Sequence, residues 1–521
     1  SPSSPPSPPT CLMISDDNKR IAKNTVFMYF RMAFVMLIQL YTSRIILDQL
    51  GEEGYGLYNV VGGLVVMLTF LNGAMVATSQ RFLAYELGRN DHERLRITFS
   101  QSFYAHLFIA IIFIIVAETA GLWFLNYKMV IANELKNAAN WVFQFSIASF
   151  IITLIQVPYG ALITAHERLD IYAILGIIDI LLRLGVALIL FKFSTTSRLI
   201  WYAFLIFCVT LVINLAYIWF CRHKFKETRL VKKIDRSIFK SLTSFLGWSI
   251  FGSLAWIGKN QGVNIVLNTF LGTIINAAYG VAMQINGAVN SFAQNFISAV
   301  NPQVIQSFAS GNRSRMIQLI NMGSKTSYLL LFIIVFPVFT NIEGILKIWL
   351  VEVPEYTPIF LRLILIITLL ESLAYVMGTA IQATGRIKAY QIIIGCTLLL
   401  NLPASYLLLR LNKPPYAVFF AGILLAFIAL IERIFILYHF IPEFKPKDFL
   451  RKVFLPITIT TLATIFAYLP INMLIAHWGL RLVIAVGLTI STSLLLGTNE
   501  TEKKHILNIS NKLWIKLRSS F

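Results

Sequence analysis

Charged residues are scarce in this chain. Of its 521 residues, 13% are charged and 57% are hydrophobic, whereas soluble domains carry about a quarter charged residues. So few charges cannot cover a water-facing surface of this size, which excludes a soluble globular protein. The apolar residues form long blocks, such as 105–125 and 453–471, that match the ~20 residues of a membrane-spanning helix and exceed a barrel strand. We therefore predict an all-α integral membrane protein.

Cysteine is also rare, and its spacing excludes familiar cysteine chemistry. The four cysteines are scattered without any CxxC pair, so neither a disulfide framework nor a metal site is expected. Residues 1–18 are rich in Pro and Ser and lack a signal peptide's basic start and apolar core. They are predicted to be a disordered leader.

The apolar blocks predict about fourteen transmembrane helices. The predicted spans are 23–47, 55–79, 99–125, 138–164, 169–192, 199–221, 243–271, 275–301, 323–346, 356–382, 387–410, 415–440, 453–471 and 479–497. With a cytoplasmic N-terminus, 30 of the 44 Lys and Arg residues fall in cytoplasmic segments and 9 in outer loops. This asymmetry follows the positive-inside rule and predicts that both termini are cytoplasmic.

A basic segment divides the chain into two similar halves. The predicted domains are a leader (1–18), an N-terminal six-helix bundle (19–221), a basic cytoplasmic linker (222–242), a C-terminal six-helix bundle (243–441), helices 13 and 14 (442–497) and a basic amphipathic tail (498–521). Leu-Gly followed by Tyr-Gly occurs at 50–56 and again at 271–280. The two patterns are separated by about 220–224 residues, which favours an internal duplication. Because each half holds an even number of helices, the two repeats would be parallel and pseudo-symmetric.

Amide side chains recur at intervals of four residues along spans seven and eight. They are Asn260, Asn264, Asn268, Asn286, Asn290 and Gln294. Span one carries Arg31 and Gln39 on one face, since they are eight residues apart. Unsatisfied polar groups are costly in hydrocarbon, so we interpret these stripes as the lining of a substrate cavity. The alternative is interhelical hydrogen bonding, worth about 0.6 kcal/mol per bond.

Two cations lie deep within predicted spans. Neither Arg31 nor Lys259 has an acid three or four residues away on its own helix. Because a charge at mid-bilayer costs about 3 kcal/mol, we predict that both are unpaired and face an aqueous cavity or an anionic ligand. The alternative is an acid on another helix. Arg44 is included in the predicted cavity, although at the outer end of span one it could equally reach the headgroups.

Two carboxylates are candidates for coupling transport to an ion gradient. Asp179 lies four residues before Arg183 on span five, which favours a structural ion pair over a coupling site. Glu371 is isolated deep in span ten. Catalytic motifs are missing: Gly258-Lys259 lacks the rest of a phosphate-binding loop, and neither HExxH nor GxSxG occurs. An enzyme, a cofactor and a nucleic-acid partner are therefore not expected.

The first hundred residues resemble a known family. The segment 24–91 is similar to the start of bacterial polysaccharide flippases of the Wzx type, which belong to the multidrug/oligosaccharidyl-lipid/polysaccharide (MOP) exporter superfamily. The resemblance rests on Tyr-Thr-Ser-Arg at 41–44, Leu-Gly-x-x-Gly-Tyr-Gly at 50–56 and Ser-Gln-Arg-Phe at 79–82. The helix count and the two-half layout extend the similarity over the whole chain.

The resemblance implies a function in surface polysaccharide (O-antigen, lipopolysaccharide) biosynthesis. Such proteins carry an undecaprenyl-diphosphate-linked oligosaccharide from the inner to the outer leaflet of the bacterial cytoplasmic (inner) membrane by alternating access. Arg31 and Lys259, one in each half, would then hold the diphosphate, and the amide stripes would contact sugar hydroxyls. A monomer embedded in membrane lipid is expected, with polysaccharide polymerase and assembly proteins as further partners.

Two other functions compete with this interpretation. A cation-coupled multidrug exporter of the same fold would favour an acidic cavity, whereas the deep charges predicted to be unpaired are basic. A membrane-embedded polysaccharide polymerase or ligase would favour large outer loops with clustered Arg and His, whereas the predicted outer loops are short.

Overall fold

Apolar helices joined by short capped turns form the computed structural model. It describes residues 24–39, 41–42, 45–46, 48–50, 57–58, 61, 69–127, 131, 133–194, 197–231, 235–349, 353–475 and 477–498. Residues 24–39 form α1. The next helices are α2 (Thr69–Gly88), α3 (His92–Val116, with a π turn at Ala117–Gly121 and a last segment Leu122–Tyr127), α4 (Lys136–Ala165), α5 (Leu169–Ile189), α6 (Arg198–Lys224) and α7 (Arg236–Ala309).

The remaining helices follow α7 after a tight turn. They are α8 (Arg313–Thr340), α9 (Ile342–Trp349), α10 (Thr357–Ser372), α11 (Tyr375–Ala383), α12 (Ile387–Leu399), α13 (Asn401–Arg410), α14 (Ala417–Phe440), α15 (Pro446–Phe449, a π turn at Leu450–Phe454, then Leu455–Leu474) and α16 (Trp478–Thr492, with a π turn at Ser493–Gly497). Every regular element in the described ranges is helical, so the prediction of an all-α protein is confirmed.

The 74-residue α7 reverses direction near its middle. The Tyr279 hydroxyl donates to the Asn260 carbonyl at 3.1 Å, although 19 residues of straight helix would separate them by about 28 Å. Both ends of α7 also reach α2: Phe245 packs edge-on against Phe82, and Phe308 lies beside Tyr85. The helix therefore has two arms, which correspond to predicted spans seven and eight. The loop predicted between them is a bend in a backbone that stays helical.

The helices account for the predicted number of spans. Ten helical segments in the described part of the chain are long and apolar enough to cross a membrane. Adding α1, α2 and the two arms of α7 brings the number to fourteen, so the chain is a multi-pass membrane protein. Some boundaries differ: α2 continues to Gly88 where the predicted span ends at residue 79. It can do so because its polar residues pair with α3, as Ser79 Oγ does with Ser102 Oγ at 2.8 Å.

The chain divides into two compact units. One holds the described residues of Ser1–Leu254 together with Asn301–Gly311, and the other holds Ala255–Val300 together with the described residues of Asn312–Phe521. Two of the three boundaries lie within α7, one in each arm, and the third lies after Gly311, in the turn before α8. The predicted domain limits, including a linker at 222–242, stay a prediction.

Each unit is built around packed apolar helices. In the first unit α4 contacts α2, α3 and α6, and Phe113 and Phe150 pack with ring centroids 4.5 Å apart. In the second, Phe336 of α8 packs edge-on against Tyr468 of α15. Outside these cores large apolar side chains are exposed, for example Trp219 and Phe466 at 70% and 67%. Such a surface suits lipid and would be a liability in water.

Equivalent turns in the two halves use the same device to begin a helix. Asp91 precedes α3 and its carboxylate accepts from the Arg94 amide at 3.0 Å. Asn312 precedes α8 and its side-chain oxygen accepts from the Arg315 amide, also at 3.0 Å. Asp and Asn are favoured at this position because they satisfy helix amides that have no partner within the helix. At each turn a glycine, Gly88 or Gly311, follows the glycine of the repeated Tyr-Gly by 32 or 31 residues, which agrees with a duplication.

Candidate transport site

A small polar chamber lies inside the second unit. It is enclosed by the two arms of α7 together with α10, α13 and α14, and its volume is about 60 Å³. Its polar lining consists of Lys259, Asn260, Tyr279, Asn286, Asn290, Thr368, Glu371 and Asn401. A water molecule needs about 10–15 Å³ by this measure, so the chamber has room for a few waters and none for a sugar. Substrate would require the chamber to open.

Lys259 is paired within the chamber. Its ammonium donates to the Glu371 carboxylate of α10, and the two side chains are 9% and 22% exposed. The prediction that Lys259 is an unpaired cation is therefore wrong. The physical reason is that its acid lies 112 residues away on another helix, where spacing along one helix cannot detect it. The pair also joins a predicted substrate residue to a predicted coupling residue.

Two of the predicted amides line the same chamber and accept hydrogen bonds at their side-chain oxygens. The Thr368 hydroxyl donates to the Asn286 side-chain oxygen at 2.6 Å, and the Tyr375 hydroxyl donates to the Asn290 side-chain oxygen at 3.0 Å. Each hydroxyl identifies which end of one amide is the oxygen and holds that end in place, so the NH₂ group lies at the opposite end of the amide. An acceptor that enters the chamber could meet the NH₂ groups of these amides, whereas the ammonium of Lys259 is already paired with Glu371.

Asn401 is a lining residue that the sequence reasoning missed. Its side chain is 5% exposed, and its side-chain oxygen has no hydrogen-bond partner among the described residues. A buried acceptor without a donor is costly, so this oxygen suits a water or a cation in the chamber. A signal was available, since Asn401 is an isolated amide in an apolar span and Pro403 follows it. Pro403 cannot donate to the Leu399 carbonyl, which accounts for the break between α12 and α13.

The first unit holds a cation of a different kind. The Arg31 guanidinium lies over the Tyr172 ring, 5.0 Å from its centroid, and its Nε is buried with no acceptor. Within the described ranges no carboxylate lies at ion-pair distance from Arg31. Asp179, on the same helix as Tyr172, is engaged by Arg183 at 3.0 Å in the predicted ion pair. The guanidinium of Arg31 is therefore not paired with any carboxylate of the described residues.

Gly176 creates the space in which Arg31 lies. A Cβ atom at this position would collide with the Nε of Arg31. The neighbour that must yield is a flexible side chain, so alanine at 176 would displace the guanidinium without disturbing the backbone. Glycine here is required by a close approach and not by its backbone conformation.

We expect Gly176→Ala to lower transport about 10- to 100-fold with little loss of stability, because misplacing a binding group by about 1 Å has effects of that size. Gly185→Ala on the same helix is the matched control, since a Cβ there would meet nothing within 4 Å. Transport and thermal unfolding of both variants are the measurements. Equal transport by the two variants would show that the position of Arg31 does not matter for transport.

The other predicted site residues lie outside the chamber or outside the described structure. Gln39 is exposed on α1, Asn264 is half-buried, and Gln294 is exposed on the second arm of α7. Arg44 and the side chain of Asn268 lie outside the described residues. The assignment of these five residues to a substrate site stays a prediction.

The segment after α6 docks onto the turns at one end of the first unit. Phe225 stacks on His166 with ring centroids 4.2 Å apart, and the Glu227 carboxylate lies 3.9 Å from His166 Nε2 and 3.6 Å from His92 Nδ1. The Val231 amide donates to Ser100 Oγ at 2.9 Å. The beginning of the basic linker is thus held by specific contacts.

This docking should depend on pH. Burial lowers the pKa of His166, the neighbouring His92 lowers it further, and Glu227 opposes both without cancelling them. A histidine whose pKa is lowered by folding favours the folded contact while neutral, so its contribution is lost as the pH falls below about 6.5. We expect backbone amide hydrogen exchange at 225–231 to be faster at pH 5.5 than at pH 7.5, after correction for the pH dependence of the intrinsic exchange rate. His166→Gln should remove the difference; an unchanged difference would assign it to another group.

Comparisons with known proteins agree with this architecture. The MatE family model matches residues 249–407, the segment that holds Lys259, Asn286 and Glu371. An outward-facing multidrug resistance MATE family transporter of the MOP superfamily shares 14% identity, with a TM-score of 0.69 and coverage of 81% of this chain and 96% of that chain. The chain has the fold of MOP transporters. A comparison with curated proteins finds no match.

Two further MOP-fold structures show how far the fold likeness extends. MATE in complex with MaD5 shares 15% identity with a TM-score of 0.70, and the match covers 84% of this chain and 99% of that chain. A MOP superfamily transporter from Pyrococcus furiosus, whose binding pocket of reverse polarity suggests a different function, has 14% identity and a TM-score of 0.67, and covers 79% of this chain and 94% of its own. The resemblance to MOP exporters is thereby confirmed at the level of the fold.

Proposed function

We propose that the chain is a flippase that moves a polyprenyl-diphosphate-linked oligosaccharide between membrane leaflets. The observation that carries this proposal is Arg31, a half-buried cation without a carboxylate partner among the described residues. A diphosphate is the group that must cross hydrocarbon, and an unneutralised guanidinium binds phosphate oxygens through charge-assisted, bidentate hydrogen bonds. A multi-pass fold with such a cation therefore suits an anionic lipid substrate.

The setting of Arg31 favours phosphate over a carboxylate of the protein. Tyr172 covers one side of the guanidinium, an aromatic contact worth about 0.5–2 kcal/mol. The nearest turn of α5 offers Asp179, but that carboxylate is bound to Arg183. The charge of Arg31 is thus left for a ligand, and Gly176 gives it the space to stay in place.

The Lys259–Glu371 pair would act as a charge switch and not as a permanent clamp. While Glu371 is ionised the pair is neutral, and the chamber attracts no anion. When Glu371 takes up a proton, the ion pair breaks and Lys259 becomes a free cation in the chamber. Proton binding and diphosphate binding would then favour each other, and the coupling is reciprocal by thermodynamic necessity.

The oligosaccharide would be contacted after the chamber opens. Asn286 and Asn290 already have oriented amide groups, and sugar hydroxyls accept and donate the hydrogen bonds that amides offer. Rocking of the two repeats around a midplane site is the general mechanism of such transporters. We place the protein in the bacterial inner membrane, as a monomer with both termini in the cytoplasm, next to polysaccharide polymerase and assembly proteins.

A cation-coupled drug exporter is the second candidate. The observation that favours it is the MatE match over the chamber, together with the multidrug resistance transporter among the similar structures. It requires a carboxylate that can bind a cationic drug or its coupling ion. Glu371 is such a carboxylate, but Lys259 neutralises it, which makes this candidate the weaker one. The similar structure from Pyrococcus furiosus has a binding pocket of reverse polarity, which suggests that this fold can hold pockets of either charge.

Expression in two bacterial hosts separates these functions. One host lacks its own glycan flippase and the other lacks its drug exporters; surface glycan is scored by antibody or lectin and drug susceptibility by growth. We expect restored glycan display in the first host and unchanged susceptibility in the second. Lowered susceptibility without glycan display would favour the drug exporter and contradict the flippase.

A further inference from the structure

A groove with basic and apolar walls lies at the beginning of α15. It has a volume of about 430 Å³ and is lined by Lys447, Leu450, Arg451, Phe454, Leu455 and Thr458. None of these residues belongs to the chamber or to the surroundings of Arg31. The groove also lies outside the two six-helix repeats, in the helices that the repeat plan leaves without a role.

The local sequence explains the shape of the groove. Pro446 begins the helix, where its missing amide hydrogen costs nothing. The π turn at Leu450–Phe454 then widens the helix by one residue before the regular turns from Leu455 onward. Lys447 and Arg451 are four residues apart and so lie on one face, with Phe454 and Thr458 continuing that face.

The two cations of the groove are uncompensated. Within the described ranges neither Lys447 nor Arg451 has an acid at ion-pair distance, and both side chains are exposed. The segment 443–452 carries four basic residues and two acidic ones. The end of α15 at which they lie is predicted to be cytoplasmic, so the cations would face the headgroups of the inner leaflet.

An exposed apolar face continues from the groove along the helix. Leu455, Ile459, Leu462 and Phe466 all lie on it, with exposed fractions between 46% and 67%. The 20 residues of Leu455–Leu474 extend about 30 Å, the thickness of the hydrocarbon core. An acyl chain can therefore pack along this face from the level of the headgroups into the hydrocarbon core.

We infer that this groove binds one anionic phospholipid. Lys447 and Arg451 hold its phosphate, and an acyl chain lies against Phe454 and Leu455. The occupant follows from the juxtaposition: two unpaired cations select an anion, and the apolar wall that continues into the membrane selects a lipid over a soluble phosphate. The lipid would anchor α15, and this inference stands independently of the transported substrate.

The test compares purified protein in vesicles or micelles containing phosphatidylglycerol with protein in phosphatidylcholine, using native mass spectrometry to count retained lipid. The variant Lys447→Ala/Arg451→Ala removes the groove cations. Lys445→Ala/Lys452→Ala is the matched control, because it removes the same charge from exposed residues of the same segment that do not line the groove. All four positions are exposed, so both variants should fold, which their melting in phosphatidylcholine checks.

We expect one tightly retained phosphatidylglycerol in the wild type and in the control. The groove variant should bind it about 30-fold more weakly, which corresponds to about 1 kcal/mol for each basic residue. Equal weakening in both variants would show diffuse attraction to the membrane surface and overturn the site. Displacement of the lipid by millimolar inorganic phosphate, or equal affinity for dihexanoyl and dioleoyl phosphatidylglycerol, would show a soluble-anion site and also overturn it.

Discussion

Cells that express the Arg31→Ala variant should display no surface glycan while their membranes contain the protein at the wild-type level. Arg31 has no carboxylate partner among the described residues, so its removal leaves no uncompensated buried charge and should not destabilise the fold. Hydrogen bonds to charged groups contribute about 1.5–3 kcal/mol each. Losing a bidentate contact with a diphosphate should therefore weaken binding by at least about 100-fold.

The Arg31→Lys variant shows whether charge alone is sufficient. Lysine keeps the positive charge but lacks the planar fork that binds two phosphate oxygens at once. We expect partial display, between those of the wild type and Arg31→Ala. Quantitative immunoblotting of membranes and a glycan-specific stain are the measurements. Wild-type display from Arg31→Ala would refute the role of Arg31 in substrate binding.

Replacing one member of the Lys259–Glu371 pair should strongly destabilise the folded protein. Removing one partner of a buried ion pair leaves the other charge uncompensated, at a cost of about 3–5 kcal/mol. Both side chains are largely buried in the chamber, so Lys259→Met alone should lower the thermal unfolding temperature. Arg362→Gln is a suitable control, because its pair with Glu343 is partly exposed and such pairs contribute about 0–1 kcal/mol.

The double variant Lys259→Met/Glu371→Gln distinguishes a structural pair from a charge switch. Replacing both charges should restore stability to near the wild-type value, because no charge is left unpaired. Transport should remain lost, since neither a proton acceptor nor a releasable cation is present. Unfolding in detergent and transport in liposomes are measured on the same preparation. A double variant that is stable and transports at the wild-type rate would show that the pair only stabilises the fold.

The fold follows closely from the sequence, and the site only in part. Apolar length predicts the spans because hydrocarbon leaves backbone groups no partner except each other, and ten helical segments of the described chain are long and apolar enough to cross a membrane. The bend of α7 was expected as a loop, since the duplicated Leu-Gly and Tyr-Gly pattern resembles a turn. Its backbone stays helical while the direction reverses, as the contact between Tyr279 and Asn260 shows.

Contacts between distant segments account for what the sequence reasoning missed. Lys259 looked unpaired because only acids on its own helix could be recognised by spacing, and Glu371 is on α10. Asn401 was overlooked because it is a single amide in an apolar span. The requirement for Gly176 comes from a side chain on α1 and is invisible without coordinates. For Arg31 the same reasoning expected no paired acid, and within the described ranges no carboxylate lies at ion-pair distance from it; its role as a substrate residue stays a prediction.

Leaflet transfer in liposomes tests the central claim most directly. Purified protein is reconstituted into vesicles with a fluorescent polyprenyl-diphosphate oligosaccharide, and a membrane-impermeant quencher reports how much of the label changes leaflet. We expect transfer by the wild type that accelerates with a proton gradient imposed in the direction of transfer and stops in Arg31→Ala. Transfer no faster than in protein-free vesicles, or equal transfer by the wild type and Arg31→Ala, would contradict it.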